Sequence, residues 1–234
     1  MKIRNLLLSI TGMVIIFSSC DQKINDNVKL NSEIDTLSFY MGVDLGGNLK
    51  NAALEEVNYD AFINGLIAGF EDKDIKVEKE KVKPFINKFF ADIQIKRNAK
   101  NLEDGIAFLE ENKNREGIIT TESGLQYEII TEGTGKSPSA TDIVNCHYHG
   151  TLLDGTVFDS SVDRGEHAEF GLDKVIPGWT EGVQLMKEGS KYKFYIPTEL
   201  AYGARGTRGV VQPNMTLIFD VELFEIKTPV QKVN

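Results

Sequence analysis

The chain has 234 residues, with 35 acidic and 26 basic side chains and a formal net charge of -9. This length exceeds one typical domain without requiring two. The negative charge argues against nucleic-acid binding, for which a basic patch is the usual electrostatic footprint.

The first residues have the pattern of an export signal. Lys2 and Arg4 precede an apolar run from 6 to 17, and two serines then precede Cys20. A basic start, a short apolar stretch and small residues are typical of a secretory signal peptide. In its position directly after these small residues, Cys20 resembles the lipidated cysteine of bacterial lipoproteins.

We therefore predict a signal peptide over residues 1–19, lipidation of Cys20 and a flexible tether over 20–31. Several acyl chains on one residue would anchor the protein stably, since two such signals normally suffice. The expected location is the bacterial cell envelope, with the membrane and leaflet left open. A plain cleaved signal is the alternative.

Four apolar stripes at three- and four-residue spacing predict helices between residues 32 and 114. Their members are Ile34, Leu37, Met41, Leu45 and Leu49; Tyr59, Phe62, Ile63, Leu66, Ile67 and Phe70; Val82, Phe85, Ile86, Phe89, Phe90 and Ile93; and Ala99, Leu102, Ile106 and Leu109. Asn58 is a candidate N-cap. Pro84 predicts that the third helix starts near Lys83 or kinks there. No strong stop separates the third and fourth stripes, which are therefore compatible with one long helix.

These helices would form a thin core on their own. Amphipathic helices that lack partner surface commonly pair with a second copy through two-fold symmetry. We therefore predict an all-α dimerisation domain over residues 32–116, with a homodimer formed through 32–114. The alternative is a monomeric helical cap on the C-terminal domain.

After Gly117 the apolar period changes from 3.6 to 2, which predicts strands. The apolar positions are Leu125, Tyr127 and Ile129; the runs 143–150 and 151–158; Tyr192, Phe194 and Ile196; and Leu217, Phe219, Val221 and Leu223. Asp154-Gly155 is a hairpin-type pair between two of the runs, and 179–187 predicts one short helix. We expect an α+β domain over 117–228 with about five antiparallel strands, followed by a tail over 229–234.

Aromatic residues and one acid recur at the edges of these apolar runs. They are Tyr148, Phe158, Asp159, Trp179, Tyr202 and Phe219, and Trp179 is the only tryptophan. Aromatics at turn-adjacent positions predict an apolar ligand pocket. The alternative is that they simply fill the core.

Several motifs in order resemble the FK506-binding-protein family of peptidyl-prolyl isomerases. They are Val157-Phe158-Asp159-Ser160-Ser161, Val175-Ile176-Pro177-Gly178-Trp179, Ala201-Tyr202-Gly203 and Leu217-Ile218-Phe219-Asp220-Val221-Glu222-Leu223. Upstream, 105–109, 124–127 and the helical segment resemble the two-domain exported bacterial members, including the macrophage infectivity potentiator type. The resemblance implies an antiparallel half-barrel sheet wrapped on one short helix.

The resemblance also implies roles for individual residues. Trp179 would form the floor under the substrate proline, with Tyr148, Phe158, Val175, Ile176 and Phe219 as walls. The Tyr202 hydroxyl and the Ile176 N–H would meet carbonyls that flank the proline, and Asp159 would lie at the rim. Further substrate contacts are expected at Phe170, Thr207, Val210 and Val211.

Two departures from the family pattern bear on substrate preference. The stretch 166–172 offers only Phe170 where relatives often have two aromatics. The rim loop carries Arg205, Thr207 and Arg208 where some relatives have a histidine.

The expected activity is peptidyl-prolyl cis-trans isomerisation that accelerates the folding of exported proteins. Rotation about an X–Pro bond breaks no covalent bond. It requires the loss of amide resonance, which gives a rotation barrier of about 18–20 kcal/mol. An apolar pocket that binds a twisted amide can lower that barrier, so no nucleophile, metal or cofactor is required and Asp159 is not a general base. Macrolides such as FK506 and rapamycin are expected to bind. Holdase chaperone activity is a second expectation, and a non-catalytic binding module is the alternative.

Other candidate motifs are weaker. His147 and His149 share one strand face near His167, but the pattern falls short of a metal site. Gly135-Lys136-Ser137 lacks the first glycine and the following helix of a phosphate loop. Ser160 and Ser161 have no catalytic-triad context, and we expect them to form turn or strand-end hydrogen bonds. Cys146, within a predicted strand, is expected to be a buried thiol.

Overall fold

The computed structural model describes residues 28–73 and 76–227. The predicted signal peptide, Cys20 and the tail over 229–234 lie outside the described residues. Internal contacts divide the chain into two compact units, with the boundary between Asn51 and Ala52.

Within the first unit, the described structure is dominated by helix α1 (Glu33–Asn51). Its start is capped reciprocally: Ser32 Oγ accepts from Asp35 N at 3.1 Å and Asp35 Oδ2 accepts from Ser32 N at 3.0 Å, which satisfies two free backbone donors. The predicted apolar stripe is on the helix surface, with Ile34 64% and Met41 63% exposed.

The second unit begins with helix α2 (Tyr59–Phe70). The predicted N-cap is confirmed, because Asn58 Oδ1 accepts from Ala61 N at 3.0 Å. The apolar side chains of α2 are also exposed, and Phe70 reaches 89%. Burial therefore does not explain this apolar stripe within one chain.

Helix α3 (Lys79–Asn112) has 34 residues and joins the third and fourth predicted stripes in one helix. It begins at Lys79, earlier than the expected start near Lys83, so Pro84 lies inside it. Proline has no N–H to donate to the carbonyl of Glu80, four residues earlier. Its position close to the helix start limits the number of backbone bonds that this disturbs.

In the part of the chain that the structure describes, seven antiparallel strands form one open sheet. They are β1 (Ile118–Thr120), β2 (Gln126–Thr131), β3 (Ile143–Thr151), β4 (Val157–Ser160), β5 (Ala168–Gly171), β6 (Lys191–Ile196) and β7 (Leu217–Lys227). Their order is β1-β2-β6-β7-β3-β4, and β5 also pairs with β3. The α+β prediction is confirmed, although about five strands had been expected.

The turn between β3 and β4 is longer than the sequence pattern indicates. Leu152 N donates to Thr156 O at 2.9 Å, and Gly155 has a φ of 84°. The residues from Leu152 to Thr156 therefore form the turn, and the predicted run 151–158 becomes a strand only from Val157.

Helix α5 (Pro177–Gln184) packs closely against the inner face of the sheet. A Cβ at Gly182 would lie 2.7 Å from the Phe194 ring, and one at Gly178 would lie 2.5 Å from Ile196 Cγ2. Small residues therefore allow the helix backbone to approach β6. The helix starts at Pro177, because proline is favoured in the first helical turn, and ends before the predicted Lys187.

A one-turn helix, α4 (Ser161–Arg164), follows β4 and was not predicted. Ser160 caps it by accepting from Asp163 N at 3.1 Å, and Gly165 ends it with a φ of 73°. Within residues 28–73 and 76–227, no helix has both the length and the apolar character needed to cross a bilayer.

Candidate functional site

A cavity of about 520 Å³ lies between the start of α5 and side chains of strands β3, β4, β5 and β7. Its lining is mostly apolar and aromatic: Tyr148, Phe158, Asp159, Phe170, Lys174, Val175, Ile176, Pro177, Trp179, Tyr202 and Phe219. A concave, mainly apolar site with a few polar groups is the usual form of a small-ligand pocket.

Trp179, in the first turn of α5, forms the base of this cavity. Three rings meet the indole nearly edge to face: Phe219 at a centroid distance of 5.3 Å, Tyr148 at 5.4 Å and Phe170 at 5.7 Å. Edge-to-face pairs are the favoured arrangement of aromatic rings. The indole is only 4% exposed, yet it lines the cavity, as expected of a floor enclosed by walls.

The walls are held by the sheet. Phe158 in β4 packs edge to face on Phe219 in β7, with centroids 5.3 Å apart. A Cβ at Gly150 in β3 would lie within 3.0 Å of both rings, at 2.8 and 2.9 Å. Glycine at this position therefore leaves the space in which the two rings meet.

A polar cluster of Tyr148, Asp159 and Arg164 lies at one side of the cavity. The Tyr148 hydroxyl donates to Asp159 Oδ2 at 2.6 Å. Arg164 donates to Asp159 Oδ1 at 2.5 Å and to the Tyr148 hydroxyl at 2.7 Å. Each member of the cluster is bonded to the other two, which fixes the Tyr148 ring beside Trp179.

The cluster determines the charge of its members. Burial alone would raise the pKa of Asp159, but the bonds from Tyr148 and Arg164 and the arginine charge outweigh it, so that pKa lies below its ordinary value. Burial, reinforced by the bond to Asp159, raises the pKa of Tyr148. At neutral pH the carboxylate is therefore ionised and the phenol protonated.

Two hydrogen-bond donors at the cavity remain available to a ligand. Among the described residues, the Tyr202 hydroxyl and the Ile176 N–H have no protein acceptor. Burial, and then the negative charge of Asp159, raise the pKa of Tyr202, which keeps its hydroxyl protonated. Ile176 is the N-cap of α5, so its backbone lies at the end of the helix where N–H groups are free.

This arrangement can bind an apolar ring over an indole and donate hydrogen bonds to neighbouring carbonyls. The cavity lining includes no serine, cysteine or histidine, the side chains that most often act as nucleophile and base. Among residues 28–73 and 76–227, no group of three or more His, Cys, Asp or Glu side chains is placed to hold a metal ion.

Comparison with known proteins gives matches along both parts of the chain. Residues 134–224 match the model of the FKBP-type peptidyl-prolyl cis-trans isomerase, and residues 34–129 match that of the domain amino terminal to it. The outer membrane protein MIP of Legionella longbeachae is 39% identical over 97% of this chain and 99% of its own.

The chain belongs to the FKBP-type peptidyl-prolyl cis-trans isomerase family.

Other relatives agree with this family membership. A probable FKBP-type isomerase, FkpA of Neisseria meningitidis serogroup B, is 44% identical over 85% of this chain and 76% of its own. The crystal structure of FkpA from Escherichia coli superposes with a TM-score of 0.64 at 35% identity, covering 85% of this chain and 99% of that one. The predicted family and fold are therefore confirmed.

The structure brings most of the predicted site residues together in this FKBP-type pocket. Those that line the cavity are Tyr148, Phe158, Asp159, Phe170, Val175, Ile176, Trp179, Tyr202 and Phe219. Thr207, Val210 and Val211 do not line it: Val211 is 3% exposed within the core, whereas Val210 is 46% exposed. Their contact with substrate stays a prediction.

Sequence reasoning missed three residues of the site. Lys174 and Pro177 line the cavity, and Arg164 binds two of its side chains. Pro177 belongs to the motif Val175-Ile176-Pro177-Gly178-Trp179, so its position was predictable from the sequence. Arg164 has no local sequence signal, since its contacts depend on how α4 folds back on β3.

The weaker candidates have structural roles. Ser161 Oγ accepts from Tyr148 N at 2.8 Å, and Ser160 caps α4, which confirms strand-end and turn bonding. His147 and His149 each place Nδ1 3.0 Å from one of these two hydroxyls. His147 also contacts His167, with ring centroids 4.3 Å apart. Cys146 is fully buried, as predicted.

Proposed function

We propose that the chain accelerates cis-trans isomerisation of X–Pro bonds in exported proteins as they fold in the bacterial envelope. The observation that carries this proposal is the cavity floored by Trp179 and bordered by two available donors, the Tyr202 hydroxyl and the Ile176 N–H. A proline ring would rest on the indole while the donors bind the flanking carbonyls.

The required rate enhancement is within reach of such a site. Uncatalysed prolyl isomerisation takes about 10–100 s, so a turnover of about 10 per second needs roughly 3–4 kcal/mol of barrier lowering. An apolar surround disfavours the charge-separated planar amide and thus favours the twisted form. One or two oriented hydrogen bonds would supply the remainder.

A protease-free peptide isomerisation assay tests the activity. We expect kcat/KM to fall about tenfold in Tyr202→Phe, the loss of roughly one hydrogen bond. Asp159→Leu should reduce it as well, because Tyr148 would lose its fixed orientation. Tyr59→Phe, the same change on the exposed surface of α2, is the matched control. Full activity in both site variants would remove these residue assignments.

The same assay separates the alternative function. A binding module with the pocket but without useful catalysis would capture proline-containing peptides and leave their isomerisation rate unchanged. Holdase activity, our second proposed function, would appear as suppressed aggregation of an unfolded protein and would not require the Tyr202 hydroxyl.

Macrolide binding offers an independent test of the pocket. FK506 or rapamycin should seat an apolar ring on Trp179, quench its fluorescence and inhibit isomerisation. Trp179 is the only tryptophan of the chain, so the signal reports this site alone. No quenching at saturating ligand would contradict the proposed mode of binding.

We further propose that the protein is exported, lipidated on Cys20 and dimeric through residues 32–114. The exposed apolar residues of α1, α2 and the start of α3 support a dimer, with Phe70 and Phe85 89% and 71% exposed. Light scattering of the soluble mature chain should give twice the protomer mass, and a monomer at micromolar concentration would contradict the dimer. Mass spectrometry of the mature N-terminus would detect the acyl chains.

A further inference from the structure

Three side-chain hydrogen bonds join helix α3 to the segment 212–214, which precedes β7. They run from Arg97 Nη2 to Gln212 Oε1 (2.7 Å), from Asn101 Nδ2 to Pro213 O (2.9 Å) and from Asn214 Nδ2 to Asn98 O (3.1 Å). Asn101 lies four residues after Arg97 and three after Asn98, so it shares a face of α3 with each of them. We refer to these six residues as the α3 anchor.

The α3 anchor continues toward the cavity through two further bonds. Asn214 N donates to Gly203 O at 3.0 Å, and Gly203 directly follows Tyr202. Gln212 Nε2 donates to Gly209 O at 3.1 Å, within the rim loop (203–211). Asn214 thus connects the helix to the turn that carries Tyr202, and Gln212 connects it to the loop tip.

The backbone at these points leaves little freedom. Asn214 has a φ of 64°, a left-handed conformation that asparagine tolerates better than most residues. A Cβ at Gly206 would lie 2.6 Å from Val211 O, so the rim loop packs directly on its own return segment. A Cβ at Gly105 would lie 2.4 Å from Thr216 Oγ1, so α3 is seated against the chain where β7 begins.

We propose that the α3 anchor positions Tyr202 and the rim loop for the isomerisation reaction, which makes Asn101 and Asn214 positioning residues. This inference rests on the proposed isomerase function. A hydroxyl must lie within a few tenths of an ångström of its acceptor distance to bond well. A turn fixed from the helix through Asn214 holds the Tyr202 hydroxyl at one place before substrate arrives, which avoids an ordering cost in the transition state.

The test uses the full chain with Asn214→Gly and Asn101→Ala. Glycine tolerates the positive φ at 214 but also loosens the backbone there, whereas Asn101→Ala deletes one anchor bond and leaves residue 214 unchanged. Lys100→Ala is the matched control, because Lys100 lies on the same helix and pairs with Asp104 in solvent. We expect faster amide hydrogen exchange over 203–214 and a kcat about fivefold lower with little change in KM, but no such effects in the control.

A double-mutant cycle with Tyr202→Phe shows whether the helix acts through that hydroxyl. We expect Asn214→Gly to reduce kcat much less when Tyr202 is already Phe. Fully multiplicative losses would overturn the inference, as would faster exchange with unchanged kinetics. A wild-type chain without isomerase activity would instead refute the proposed function, and with it the positioning role.

Discussion

At the scale of single residues, the pocket depends on the mutual bonds of Tyr148, Asp159 and Arg164. Arg164 is itself exposed, so its ion pair is partly screened by solvent. Its contribution is therefore orientation more than stability: it holds the carboxylate and the phenol in fixed positions beside the indole. The pH dependence of the site follows from the same bonds.

Replacing Arg164 should change the acid limb of the activity profile. The pKa of Asp159 is depressed in the folded site. The ionised carboxylate therefore stabilises the folded site at pH values above the ordinary pKa of about 3.9. This stabilisation is lost as the pH falls through the lower pKa of the folded state. In Arg164→Leu the pKa should rise, so activity should begin to fall at a higher pH than in the wild type.

The measurement is kcat/KM against pH, together with the carboxyl chemical shift of Asp159. Arg164→Lys is the matched control, since it keeps the charge and loses the two-pronged geometry. It should give an intermediate acid limb. An unchanged profile in Arg164→Leu would show that the arginine does not set the ionisation of Asp159.

Cys146 provides a second test at this scale. Burial raises the pKa of its thiol to about 12, so in a chain carrying Cys20→Ser a thiol reagent at pH 8 should react only after unfolding. Because the pKa of the thiol is raised in the folded state, its contribution to folding stability is fully present at pH values below the unfolded pKa of about 8.5. That stability is lost as pH rises toward 12. Rapid labelling of the native chain would contradict the buried position.

Residues with a motif around them could be predicted from the sequence. Trp179, Asp159 and Tyr202 lie in stretches that resemble one family closely enough to assign each a place at the cavity. Arg164 and Lys174 could not be predicted, because they reach the site through a one-turn helix and a 3₁₀ turn that have no periodic pattern. Side chains whose contacts depend on the tertiary structure cannot be recognised from their spacing in the sequence.

At the scale of elements, the close contact of α5 with β6 determines where Trp179 lies. Gly178 and Gly182 face Ile196 and Phe194 at distances too short for a side chain. The indole, one residue after Gly178, is thereby set at a fixed depth above the sheet. The small residues of α5 therefore contribute to the site without touching a ligand.

Gly182→Ala should destabilise the protein. Its Cβ would lie 2.7 Å from Phe194 Cε1, and such overpacking costs about 1–3 kcal/mol. Gly209→Ala, whose Cβ would have its nearest neighbour at 3.8 Å, is the matched control and should be near neutral. Urea unfolding of both variants provides the measurement, and equal stabilities would show that α5 can move away from β6.

Helices were easier to predict than strands. The period of 3.6 is a local property, and it located α1, α2 and the single long α3, although Pro84 misplaced the start of α3. Strand ends depend on partners far along the chain: β3 pairs with β4, β5 and β7. A short piece such as β5 is a strand only through its pairing with β3, so a period-2 pattern could not reveal it.

At the scale of the whole molecule, the apolar surface of the helices requires an explanation that one chain does not supply. In a two-fold dimer each apolar interface residue is buried once in each protomer, so one substitution removes two buried side chains. Phe85→Glu should therefore weaken a dimer by about a hundredfold or more, since burying one such ring contributes roughly 1.5–3 kcal/mol. Ile130→Glu, an apolar residue 50% exposed in β2, is the matched control.

Sedimentation or light scattering over a range of concentrations would measure this effect. The expected result is a shift of Phe85→Glu toward the protomer mass while the control remains associated. Peptide isomerisation should be unchanged in both, because the cavity lies in the C-terminal domain. A dimer insensitive to Phe85→Glu would place the interface elsewhere.

The length of α3 has one more consequence. Residues 79–96 precede the first anchor residue, and at 1.5 Å per residue they extend about 27 Å along the helix axis. An extended polypeptide of about eight residues covers the same distance. A client segment that contacts both the beginning of α3 and the α3 anchor must therefore have at least about eight residues between its two points of contact.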